Sequence, residues 1–145
     1  MNDILENKLQ SIHRCIERAR EEYSLAGENF RTDFSHQDAA ILNITRACET
    51  AIDLANHVIK REKLGFPTTS AESFELLARK GVISLALEGK LKSMVGFRNT
   101  AIHEYRKVDI GIVEAIIQTG LNDLIAFTDI LMKRQRGATP EITTS

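Results

Sequence analysis

The chain has 145 residues, 43% hydrophobic and 27% charged, which is enough for one globular domain with a continuous core. Its formal net charge of -1 excludes the overall basic surplus by which nonspecific nucleic-acid binders attract a polyanion, so a partner of that kind would need a local patch. Two prolines and no tryptophan leave most of the length free to be helix.

Leu5, Leu9, Ile12, Ile16, Ala19 and Tyr23 alternate steps of four and three, which predicts a first helix to about residue 26 with one narrow apolar seam. Gly27 should end it, and 28–34 should connect onward, with Phe30 and Phe34 folding back as apolar plugs. Ser35 reads as an N-cap, with Asp38 as an acidic capping-box partner. A second helix then runs to about 64 on a wide stripe of small and branched residues, until Gly65-Phe66-Pro67 stops it. Thr69 with Glu72 opens a short helix over 70–80, and Gly81 closes it. A third long helix starts near Ser84 and is expected to carry 98–105 at its end. Asp109 caps the last helix, which continues to about 133.

No strand, repeat or low-complexity block is legible. The pattern predicts an all-α, up-and-down antiparallel four-helix bundle with one additional short helix, spanning 1–136, with a flexible tail at 137–145. Surplus aliphatic residues on the second and last helices could bury a second copy. Cys15 and Cys48 lie inside apolar-periodic segments and read as buried, reduced thiols. Residues 1–12 alternate charged and apolar positions, unlike a secretory leader, and no apolar run reaches the roughly 20 residues that cross a bilayer. A cytoplasmic protein without membrane contact is expected.

The stretch richest in chemistry is Phe97-Arg98-Asn99-Thr100-Ala101-Ile102-His103-Glu104-Tyr105. Arginine forks onto phosphate oxygens, and histidine moves protons near neutral pH, so the pair suits phosphodiester chemistry. On a continuous helix, Asn99 and His103 would share one face, and Arg98 and Tyr105 an adjacent one. Arg106-Lys107 follows directly and is the basic pair best placed to guide a polyanion. Asp53 and His57, four residues apart, would share a face of the second helix, either as a satisfied polar pair or as an orienting or metal-binding one.

The spelling Arg, four residues, His, one residue, Tyr resembles the signature of HEPN-domain ribonucleases, specifically the HepT toxins. Cys48 to Ile59, Pro67 with 71–77, Gly81-Val82-Ile83 and Met94 to Asn99 extend the likeness over about 1–132. The resemblance implies a HEPN-like bundle that pairs two motifs across a homodimer cleft. It implies cleavage of RNA without a metal or other cofactor, leaving a 2′,3′-cyclic phosphate and a 5′-hydroxyl. His103 would be the acid/base, Arg98 would bind the scissile phosphate, Asn99 would orient His103 or touch phosphate, and Tyr105 would contact RNA. Asp53 aligns with a polar position near the family's cleft. The resemblance also implies a toxin of a type VII toxin–antitoxin pair, whose partner, a minimal nucleotidyltransferase (MNT) antitoxin, silences it by transferring AMP onto Tyr105. Two other readings stay open: a non-catalytic helical binding partner of a nucleotidyltransferase, and a purely structural oligomeriser.

Overall fold

A computed structural model describes residues 3–138. All regular structure among them is helical: α1 (Asp3–Ala26), α2 (Phe34–Glu62), α3 (Ser70–Arg79), α4 (Leu85–His103), α5 (Ile110–Ala115) and α6 (Leu121–Ala138). A π-helical turn, Ile116–Gly120, joins α5 to α6 as one rod. The last helix thus continues past residue 133 through Ala138, and 139–145 of the expected tail lie outside the described residues.

Cross-links between helices fix the topology. Lys8 meets Asp53 and Glu22 meets His36, so α1 and α2 run antiparallel. Tyr23 with Gln118, Arg20 with Asn122 and His13 with Thr128 set the last rod antiparallel to α1. Its far end meets the end of α2 through a bidentate Arg134–Glu62 pair at 2.8 and 2.6 Å. α4 crosses back between them and α3 lies against α4, which completes an up-and-down bundle with one extra short helix.

The core is the seam read from sequence. Leu5, Ile12, Ile16 and Ala19 of α1 are almost wholly buried, against Ala40, Ile44, Ala47, Ala51 and Ala55 of α2, whose small side chains let the helices approach closely. Phe74 of α3 meets Phe127 of α6 edge to face, with ring centroids 5.4 Å apart. Cys15 and Cys48 are buried free thiols, and burial pushes Cys48 up to about 12.

Local stops and starts follow expectation with three corrections. Gly27 and Gly81 take positive φ, which glycine adopts without a Cβ clash, and end α1 and α3. Ser84 Oγ accepts the Leu87 N–H at 3.1 Å, and Asp109 caps the last rod through Gly111 and Ile112. The cap of α2, however, is Asp33, which accepts the His36 N–H at 3.1 Å; Ser35 lies inside the helix. Phe30 is the expected plug, edge to face with Tyr23 at 4.9 Å, whereas Phe34 projects outward at 73% exposure. The capping box at α3 is displaced by one residue: Thr69 accepts the Glu72 N–H, but the Glu72 carboxylate returns to Thr68. Losing one well-formed cap costs about 1 kcal/mol. Ser84→Ala should therefore lower the urea midpoint by about 0.3–1 M with an unchanged slope, and an unshifted midpoint would show the cap contributes nothing.

The last rod, Ile110–Gly137, is long and apolar enough by length and composition to cross a membrane, although polar residues interrupt every apolar run in it. Val113, Ile117, Leu121, Leu124, Phe127 and Leu131 of this rod are core residues, so its inward face accounts for much of that apolarity.

Candidate active site

α4 does not reach Tyr105. It ends at His103, Glu104 leaves helical geometry at φ -145, and Tyr105–Lys107 form a separate 3-10 turn. The expected shared face of Arg98 and Tyr105 therefore does not exist, and the two side chains are held by different elements.

Arg98 leans towards α3, where its Nη2 donates to Ser70 Oγ at 3.0 Å. Its Nε is buried with no hydrogen-bond partner among the described residues. On the other side, its positive charge opposes the upward shift of the Cys48 thiol, which places the guanidinium close to the middle of α2. The cation is half-buried and held by the Ser70 hydroxyl.

Tyr105 turns back to α2, and its hydroxyl donates to Asp38 Oδ1. Desolvation raises the phenol above its ordinary value, and the hydrogen bond to the Asp38 carboxylate raises it further. On α2, Asp38, Thr45 and Cys48 are spaced 7 and 3 residues apart, so they share one helix face. The Thr45 hydroxyl between them is buried without a hydrogen-bond partner among the described residues.

Asn99 and His103 sit one turn apart on the last stretch of α4. Both are exposed, and neither side chain has a hydrogen-bond partner among the described residues. The predicted Asn99–His103 pair thus shares a face without bonding. Lys107 pairs with Glu104 at 3.0 Å, while Arg106 projects into solvent. The structure brings Arg98, Asn99, His103, Tyr105, Arg106 and Lys107 to one end of the bundle.

Asp53 does not join them; it faces α1 and pairs with Lys8 at 3.6 Å. Two residues that the sequence reading did not place there, Asp38 and Ser70, do join. Asp38 had been read as a capping group, and nothing local marks Ser70 as the residue that anchors Arg98.

Beyond Ser70, a groove of about 930 Å³ opens between the end of α2 and the start of α3, with Lys60, Lys63 and Phe66 on its walls. Its lining is mostly apolar and includes Ser70, the residue that holds Arg98.

A family profile described as ribonuclease HepT-like matches residues 12–131. The chain is 44% identical to the mRNA nuclease HepT of Shewanella oneidensis over 131 residues, covering 90% of this chain and 98% of that one. The chain belongs to the ribonuclease HepT-like family.

Its backbone superposes on the tri-AMPylated Shewanella oneidensis HEPN toxin, solved in complex with MNT antitoxin, with a TM-score of 0.87 at 42% identity, covering 92% of this chain and 99% of that chain. A more distant HepT-like relative, the tRNA nuclease HepT of Aphanizomenon flos-aquae, is 24% identical over 106 residues, 73% of this chain and 72% of that one. The Shewanella toxin matches along nearly the whole helical bundle, so the fold described above is that of the family.

Proposed function

We propose that this HepT-like protein is the ribonuclease toxin of a type VII toxin–antitoxin pair, acting in the cytoplasm and silenced when an MNT-type antitoxin transfers AMP onto Tyr105. One observation carries the reading. An anchored cation, Arg98, and a free imidazole, His103, emerge at the same end of α4, with an exposed amide between them.

Cleavage needs no metal in this scheme. The ribose 2′-hydroxyl attacks the adjacent phosphorus, the 5′-oxygen leaves, and the products are a 2′,3′-cyclic phosphate and a 5′-hydroxyl end. Arg98, held by Ser70 at the start of α3, binds the phosphate and stabilises the charge that develops on it. His103 transfers the protons in this scheme, as imidazoles commonly do in general acid–base catalysis. Asn99, one turn earlier, is placed to orient the imidazole or contact phosphate, and Tyr105 borders the RNA path. Arg106 and Lys107 add local positive charge that the whole-chain balance conceals.

The step calls for both an acid and a base, and one chain brings one histidine to the motif. A homodimer that faces two motifs across one cleft supplies the second. Exposed apolar residues suit such an interface: Phe34 and Leu42 flank Asp38 along α2, Ile102 precedes His103, and Ile112 opens the last rod.

The test is RNA cleavage by purified protein in EDTA, after intact mass shows Tyr105 bare, with product ends mapped. Cyclic phosphate and 5′-hydroxyl ends are expected. Cleavage only with added divalent metal, or ends bearing 5′-phosphate, would overturn the mechanism. A folded dimer with bare Tyr105 that cuts no RNA would point to a binding partner of the nucleotidyltransferase.

A further inference from the structure

Tyr105 has a hydrogen-bond partner that the motif around it does not contain. Its hydroxyl donates to Asp38 Oδ1, a carboxylate 67 residues away near the start of α2. The contact arises because the chain leaves α4 at Glu104 and the following turn sends the ring back across the bundle end.

The charged neighbours are otherwise engaged or directed elsewhere. On the turn itself, Glu104 pairs with Lys107, and Arg106 is exposed. On α2, His36 bonds Glu22 of α1 at 2.6 Å and Asp33 caps the helix. Across the turn, Asp109 caps the last rod, and Arg31 bonds Glu114. Asp38 is the proton acceptor in contact with the phenol.

We propose that Asp38 is the general base for nucleotidyl transfer onto Tyr105, taking the phenolic proton as the oxygen attacks a nucleoside triphosphate. This rests on the reading above that Tyr105 is the acceptor. In the step, a bond forms between Tyr105 Oη and the α-phosphorus. The bond from that phosphorus to the oxygen bridging to the β-phosphate breaks, pyrophosphate leaves, and the proton passes to Asp38 Oδ1. A neutral phenol is a weak nucleophile, and desolvation here makes the free phenolate harder still to reach. A carboxylate already in contact with the proton supplies a route without a free phenolate.

The arrangement also limits Asp38 to one turnover per tyrosine. Once Oη is esterified it has no proton to give, and the phosphodiester's negative charge repels the Asp38 carboxylate. The related Shewanella toxin is tri-AMPylated. Where further units extend from the first nucleotide, they react at its hydroxyls, away from Asp38. Asp38 therefore accelerates the first addition alone.

The experiment follows the intact protein by mass against time with its MNT-type antitoxin, ATP and Mg²⁺, for wild type, Asp38→Asn and Asp38→Glu, each confirmed folded by its melting transition. Asp38 is exposed, so all three should fold. The expected result is a first addition slowed about 100-fold in Asp38→Asn, within the usual span for a general base. Later additions, where they occur, should keep wild-type rates, and Asp38→Glu should recover part of the loss. The pH profile of the wild-type first step should also differ from that of Asp38→Asn, which lacks the carboxylate. Labelling of Tyr105 at the same rate and pH profile in both would overturn the role of Asp38 and leave Tyr105 as acceptor. Equal slowing of every addition would mean lost docking, and also overturns it. Wild type left unlabelled at Tyr105 would overturn both readings together.

Discussion

Replacing His103 with alanine is expected to abolish RNA cleavage and leave the fold intact. The imidazole is exposed, bonds nothing among the described residues, and occupies the last position of α4. Alanine is the better helix former, so stability should hold or rise slightly. Removing a group that transfers a proton in the transition state costs about 10² to 10⁴ in rate. Cleavage in EDTA, with wild type prepared identically, reads the first effect, and a thermal melt reads the second. Equal cleavage by both proteins would place the chemistry elsewhere. Arg98→Ala is a less clean probe, because it also releases Ser70 and removes a half-buried side chain from beside α2 and α3.

Phe127→Ala should have the largest effect on stability. The ring is fully buried and meets Phe74 edge to face at 5.4 Å, joining α3 to the last rod. Truncating a buried phenylalanine costs about 3–5 kcal/mol, from lost transfer energy and from the cavity left behind. Against a typical total of about 5–15 kcal/mol, that removes much of the folding free energy. A melting point lowered by about 10 °C or more is expected. Phe66→Ala is the internal control: the ring is 98% exposed, and the change should stay within about 0.5 kcal/mol. A loss below about 1 kcal/mol at Phe127 would show that the site collapses and refills.

Much of this bundle was legible because its signals are local. The four-and-three steps of Leu5, Leu9, Ile12 and Ile16 can bury only as a helix, and Thr69, Ser84 and Asp109 each hold an N–H two or three residues on. At the start of α2 the local code was ambiguous, since Asp33 and Ser35 both make good caps. The choice of Asp33 puts Phe34 at the first helical position, facing outward. The end of α4 was harder. Neither glycine nor proline marks Glu104 as a stop, so the sequence let the helix run through Tyr105. The Arg98–Ser70 and Tyr105–Asp38 bonds span 28 and 67 residues, and no local spacing rule reaches that far. The motif residues could be named from sequence, but the side chains that aim them could not.

On the proposal that Tyr105 is the AMP acceptor, the short turn that carries it bears on how long a silenced molecule would last. A bulky group attached within a helix facing the core would have to displace neighbours, and the chain would drift towards proteolysis. Tyr105 stands off the end of α4, 45% exposed and tethered through its hydroxyl to one surface carboxylate. Nucleotides added at that exposed position would extend into solvent and leave the core beneath as it is. The modified protein should therefore persist as an intact, dormant stock, and removing the nucleotides would restore activity without new synthesis.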